Sequence, residues 1–202
     1  MSKTAWVFPG QGSQATGMGV DLIARSTAQD RLDRAEQILS WSVLDVSKSE
    51  DDRLSRTLYT QPCLYVVESL LADELRQEGQ TPDFVAGHSL GEYVALYVAG
   101  VFDFESGLRL VKRRAELMNG VSGGLMAALM KFDRAQLDEQ LQKTPDVVLA
   151  NDNSPDQVVI SGTPDAVETI LSQVKAKRAV KLNVSGAFHS PLMATAALEF
   201  QQ

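Results

Sequence analysis

The 202-residue sequence predicts an α/β protein: a hydrolase-like large subdomain with a parallel sheet and nucleophile elbow, plus an inserted ferredoxin-like small subdomain. Three observations carry that prediction. Gly87-His88-Ser89-Leu90-Gly91 lies between a short apolar run and an amphipathic stretch, the strand–turn–helix setting in which a G-x-S-x-G pentapeptide forms a sharp turn. Hydrophobic patterns with periods near 2 and 3.6 alternate as β-α-β-β-α-β between about residues 123 and 184, the order of a ferredoxin-like split unit. Helical patterns separated by Gly and Pro occupy most of the chain before it. The expected organisation is a large subdomain over 1–122, a small one over 123–184, and a return to the large one over 185–202.

Each element has its own signal. TAWVFPG (4–10) is an apolar run stopped by Pro-Gly, a buried strand entering a loop, and the Gly-rich GQGSQATGMG lets backbone approach another element closely. A helical segment starts near Asp21, and STAQDRLDRAEQILS sets Leu32, Ala35, Ile38 and Leu39 on one face of a second. QPCLYVVESLLADELRQEG is a long amphipathic helix with Pro62 in its first turn and Gly79 past its end. DFVAG is the next strand and LGEYVALYVAG a helix ending at Gly100. A further helix starts at an Asp103 cap and stops before Gly120. In the small subdomain LMAALM is a strand and DRAQLDEQLQK a helix. DVVLAND and DQVVISG are strands separated by turn residues of NDNSPD; PDAVETILSQVKAK is a helix and RAVKLNVS a strand. GAFHSPLMATAALEFQQ reads as a loop leading into a helix.

Composition narrows the function classes. Apolar residues make up 44% and charged residues 22%, ordinary for a soluble globular protein. A net charge of −7 disfavours nucleic acid and anionic membranes as partners. Cys63 is the only cysteine, so no intramolecular disulfide forms, and a packed thiol in a reducing compartment is expected. No signal-peptide core or membrane-length apolar run is present, which points to a cytoplasmic location or a compartment reached without a classical signal; a monomer is expected. Neither a metal-ligand cluster nor a G-x-x-x-x-G-K loop appears, so no bound cofactor is expected.

Ser89 is either a nucleophile or a small residue in a tight turn. A serine hydroxyl needs a base, and the chain has two histidines. His88 adjoins Ser89, and neighbouring side chains on such a turn point apart; it reads as a core or turn histidine. His189, in GAFHSPLM, is the remaining candidate base. Glu92 reads as a solvated or capping carboxylate at the start of the next helix. On the residues alone Arg114 is a solvated member of the basic run Lys112-Arg113-Arg114.

Several motifs then agree. FPGQGSQ (8–14), Gln61-Pro62, AGHSLGEY (86–93), Arg114 in VKRRAELM, NSPDQVVISG (153–162) and FHSPLM (188–193) occur in an order that resembles malonyl-CoA:acyl-carrier-protein transacylases, including the acyltransferase domains of fatty-acid and polyketide synthases. The resemblance covers essentially the whole chain. It implies that Ser89 attacks the malonyl-CoA thioester with His189 as base, and that the malonyl-serine ester is then passed to the phosphopantetheine thiol of an acyl carrier protein. Backbone N–H groups of Gln11 and Leu90 would form the oxyanion hole. Arg114 would hold the malonyl carboxylate, its planar fork matching two oxygens. Phe188 resembles the form seen in malonyl-selective members. Asn151, Asn153 and Gln157 would line the cleft, although turn formation accounts for the asparagines more simply.

The resemblance also implies a longer chain. Relatives continue with elements that orient the histidine through a backbone carbonyl and complete the sheet, so a shortened C-terminal part is expected here. An acidic carrier protein should dock on cations, and Lys175, Lys177, Arg178 and Lys181 form a basic cluster against the net-negative background. Two rival functions share parts of this pattern: a serine esterase or thioesterase, which needs no arginine for an acyl carboxylate, and an inactive fragment.

Overall fold

A computed structural model describes residues 2–24 and 28–202. The chain divides into two units, residues 1–116 and 117–202. The start of the predicted second helix at Ser26 and Thr27 lies outside the described residues.

In the first unit, strand β1 (Ala5–Phe8) leads through a loop and a 3₁₀ turn (Val20–Ala24) to helices α1 (Ala28–Leu39), α2 (Val43–Lys48) and α3 (Thr57–Gln77). Strand β2 (Phe84–Gly87) and helices α4 (Gly91–Val98) and α5 (Phe104–Gly120) follow, α5 running across the division. β1 and β2 pair in parallel from Ala5↔Phe84 to Phe8↔Gly87. The alternation of a strand puts Trp6, Phe8 and Val85 against the helical core and leaves Val7 and Phe84 71% and 56% exposed on the other face. The core beneath runs from Leu32, Ala35 and Val46 through Leu64 and Tyr65 to Val94, Phe104 and Leu108.

Helix α3 begins one turn earlier than predicted. Pro62 therefore sits in its second turn, and Arg56, at the N-cap, makes no side-chain capping bond. The Thr60 hydroxyl secures this entry by donating to the Leu54 and Arg56 carbonyls at 2.6 and 3.0 Å. Asp103 does cap α5: its Oδ1 accepts the Ser106 N–H at 2.7 Å.

The second unit contains β3 (Leu125–Phe132), α6 (Arg134–Lys143), β4 (Val147–Ser154), β5 (Gln157–Gly162), α7 (Pro164–Gln173), β6 (Ala176–Lys181) and α8 (Ala194–Phe200). The sheet order is β4-β5-β3-β6, and all three pairings are antiparallel. This is the predicted ferredoxin-like arrangement. Strand alternation sends Ala127, Leu129, Val158 and Ile160 to the side of Leu137, Val167 and Ile170 on the helices. Met126, Ala128 and Val159 take the opposite side, against Phe188.

Two local predictions change. Asn151 and Asn153 lie within β4, with register shifts beside them, and only Pro155-Asp156 turns the hairpin. Helix α7 stops at Gln173, so Lys177 belongs to β6 rather than to a helix end. Among the described residues no helix is long and apolar enough to cross a membrane.

Candidate active site

Parallel pairing decides what meets at the top of β1 and β2. Phe8 and Gly87 are register partners, so the two loops that follow leave the sheet side by side. His88 N–H donates to the Phe8 carbonyl at 2.9 Å and extends the contact by one residue. A methyl group on Gly10 would lie 2.4 Å from the His88 carbonyl oxygen, so only glycine lets the Gln11 loop come this close.

The elbow is as tight as its sequence predicted. Ser89 has φ 53°, a left-handed conformation that an L-residue adopts only when its surroundings hold it there. A Cβ on Gly87 would sit 2.0 Å from the Gly91 carbonyl carbon. One on Gly91 would sit 2.1 Å from the Phe8 carbonyl oxygen. Both flanking glycines are therefore fixed by backbone crowding. The turn closes with Gly91 N–H on His88 O at 3.0 Å and Tyr93 N–H on Leu90 O at 2.9 Å. Among the described residues the backbone N–H groups of Gln11 and Leu90 have no acceptor within the chain. Such donors beside the first turn of a helix suit a developing negative charge.

Helix α4 is anchored away from the elbow. Tyr97 Oη donates to Asp73 Oδ1 at 2.5 Å, and Asp73 pairs with Arg31 at 3.3 Å. The Tyr97 ring packs edge-on against Tyr65 and Phe104. Glu92 is exposed in the first turn of α4, and His88 is exposed on the turn rather than in the core.

Arg114 shows what its neighbours in the basic run do not. Arg113 is exposed, whereas Arg114 turns inward from α5 and donates Nη2 to Ser89 Oγ at 3.0 Å. Its Nη1 donates to Gln61 Oε1, and its guanidinium lies 5.6 Å from the centre of the Tyr93 ring. Burial pulls the guanidinium below its ordinary pKa, opposed by Tyr93 and Glu92. Burial likewise pushes the Tyr93 hydroxyl up. The solvated reading of Arg114 is therefore wrong.

Gln61 was visible in the sequence only as part of a motif. Its link to Arg114 spans 53 residues, which no local pattern reveals. Gln61 is 1% exposed, so its amide is committed to internal partners. Gln11 Nε2 donates to Thr57 Oγ1 at 3.1 Å and ties the β1 loop to the start of α3. Cys63 is fully buried, and burial pushes its thiol up to about 12, which removes it as a nucleophile.

His189 and Phe188 belong to the second unit. His189 also has a left-handed backbone, φ 57°. Its loop is closed by Ser190 Oγ donating to the Ala187 carbonyl at 2.7 Å. Gly124 has no room for a methyl group, because Ala187 Cβ would lie 2.4 Å away. Phe188, 5% exposed, packs in a cluster that includes Met118, Met126, Met130 and Met193. Lys175, Lys177, Arg178 and Lys181 lie on and just before β6. Among the described residues no group of His, Cys, Asp and Glu side chains could hold a metal ion.

Known proteins resemble this chain over almost its whole length. The family described as acyl transferase domain matches residues 5–202. The malonyl CoA-acyl carrier protein transacylase of Synechocystis sp. is 62% identical over 200 residues, covering 99% of this chain and 68% of that protein. A crystal structure of the Synechocystis malonyl-CoA:ACP transacylase superposes with a TM-score of 0.97 at 61% identity, over 98% of this chain and 68% of the other. A second structure, a type II polyketide-synthase acyl-carrier protein in complex with its malonyl-transacylase, gives 0.90 at 36% identity, with coverage of 98% and 68%. The chain thus spans about two thirds of the length of these relatives. With a strained serine between two obligatory glycines, an inward arginine on its hydroxyl and a match over residues 5–202, this chain belongs to the acyl transferase domain family.

Proposed function

We propose that this protein transfers a malonyl group from malonyl-CoA to the phosphopantetheine thiol of an acyl carrier protein, in fatty-acid or polyketide synthesis. The observation that carries the proposal is Arg114 bonded to Ser89 Oγ at the head of the elbow. A hydrolase of neutral esters has no use for a cation there, whereas a substrate with a free carboxylate does. The arginine already spends one donor on Gln61 and one on Ser89, so an arriving carboxylate accepts hydrogen bonds from donors aimed at the reacting hydroxyl.

In the first half-reaction Ser89 Oγ attacks the thioester carbon and its proton passes to the base. The carbonyl oxygen, now negative, accepts from the N–H groups of Gln11 and Leu90. The tetrahedral intermediate expels the CoA thiolate, which takes up the proton, and leaves a malonyl-serine ester. In the second half-reaction the carrier thiol is deprotonated and attacks that ester, and the serine hydroxyl is restored. His189 takes the role of base by elimination, since the only other imidazole is part of the elbow. Phe188 takes the role of excluding an α-methyl branch. The protein binds no cofactor of its own in this scheme, since the phosphopantetheine arrives on the partner.

Incubation with malonyl-CoA followed by intact-mass measurement tests the proposal. The wild type gains one malonyl group and the Ser89→Ala variant gains none. Folded wild-type protein that gains no adduct would refute it.

A further inference from the structure

We propose that the outer edge of the small sheet, β6 together with Lys131, is the docking surface for an acidic face of the acyl carrier protein. This rests on the transacylase activity proposed above, which supplies the partner. Residues 175–181 hold four cations and no carboxylate, in a chain whose net charge is −7. Among the described residues β6 pairs only with β3, which leaves its other backbone edge open there. Lys175, Lys177, Arg178 and Lys181 are all exposed.

The register adds a fifth cation. Lys131 falls between the pairs Met130↔Arg178 and Phe132↔Ala176, across from Lys177. Its backbone is left-handed, with φ 50°. Like charges opposed across antiparallel strands destabilise the pair, and a left-handed lysine costs free energy. The left-handed turn at Lys131 is held by its N–H donating to the Asp156 carbonyl at 2.8 Å, but sheet stability does not explain a lysine placed across from Lys177.

Other cations of this unit are matched with carboxylates: Arg134 with Asp138 and Asp152, Lys143 with Glu139, and Lys181 with Glu168. The Asp133 carboxylate is occupied in capping α6 through the Gln136 N–H. Lys131, Lys175, Lys177 and Arg178 have no carboxylate partner among the described residues. Lys181 therefore gives way to Lys131 in the docking set. Lys177 and Arg178 alternate to opposite faces of β6, so unmatched cations flank its edge on a net-negative protein, which gives the approach of an acidic partner a direction and makes it salt-dependent.

Lysines on an edge strand also repel other edges, so the test must separate docking from protection against aggregation. The Lys177→Glu/Arg178→Glu variant of the full chain is compared with wild type in two separate steps. Formation of malonyl-Ser89 from malonyl-CoA stays within about twofold. Transfer from the preformed acyl-enzyme to carrier protein falls about tenfold at low salt, and the gap narrows at high salt. Transfer to free pantetheine is unchanged. Undiminished transfer to carrier protein, whether or not the variant aggregates, overturns the docking surface, as does an equal loss with free pantetheine. If wild type forms no acyl-enzyme, the activity itself fails. The surface is then judged by direct titration of carrier protein: binding weakened about tenfold by the double variant supports it, and equal binding overturns it.

Discussion

Glu68 is a carboxylic acid placed where water does not reach, and it yields a quantitative prediction. It lies on α3 among the buried Leu64, Tyr65, Val67 and Leu70, is 7% exposed, and among the described residues neither carboxyl oxygen has a hydrogen-bond partner. Burial pushes its pKa from the ordinary 4.5 up to about 8. The folded protein therefore holds this proton up to about pH 8, while the unfolded chain releases it near 4.5. Between those values unfolding releases a proton, so stability falls as pH rises, and the loss is complete above the folded pKa. At about 1.4 kcal/mol per unit, the displacement from 4.5 to about 8 corresponds to a ceiling of about 5 kcal/mol. Glu68→Gln keeps the shape of the protonated acid and removes the titration. Trp6 and Trp41 both pack against the core that contains α3, so urea unfolding followed by tryptophan fluorescence reports the right unit. Wild type and variant should be about equally stable near pH 5. By pH 8 to 9 the variant should be ahead by several kcal/mol, within the ceiling of about 5. Parallel pH profiles, or a gap that opens towards acid, would refute the reasoning.

Gly91→Ala drives a methyl group into the Phe8 carbonyl oxygen, so it should cost about 1–3 kcal/mol or more in unfolding by urea and slow Ser89 acylation. Phe188→Ser should raise the kcat/KM ratio of methylmalonyl-CoA to malonyl-CoA roughly tenfold. An unchanged ratio removes Phe188 from acyl selection. Cys63 should resist a thiol reagent at neutral pH in the folded protein and react at once in denaturant, because burial holds it protonated. Rapid labelling of the native protein would contradict its packing.

What the sequence revealed was what local chemistry controls. Gly87, Ser89 and Gly91 announced the elbow because backbone crowding admits nothing larger at the two flanks. Asp103 marked a helix start because it accepts a nearby backbone N–H. The split β-α-β order followed from hydrophobic period, with alternate residues of β3 feeding cores on both sides of the sheet. Long-range and context-dependent features were hidden. The Gln61 link to Arg114 and the difference between Arg113 and Arg114 depend on which face α5 buries. Asn151 and Asn153 carry turn propensity yet extend β4, where ladder pairing with β5 overrides it. Helix α2 is six residues long, too short to show a period.

The central claim is that Ser89 is acylated by a substrate whose free carboxylate Arg114 holds. Acylation rates of wild type and Arg114→Ala with malonyl-CoA and with acetyl-CoA, read by intact mass, test it most directly. The variant should lose roughly 10- to 100-fold with malonyl-CoA, the worth of a charged hydrogen-bonded contact, and little or nothing with acetyl-CoA. An equal loss with both thioesters, or an unchanged preference, would contradict the account.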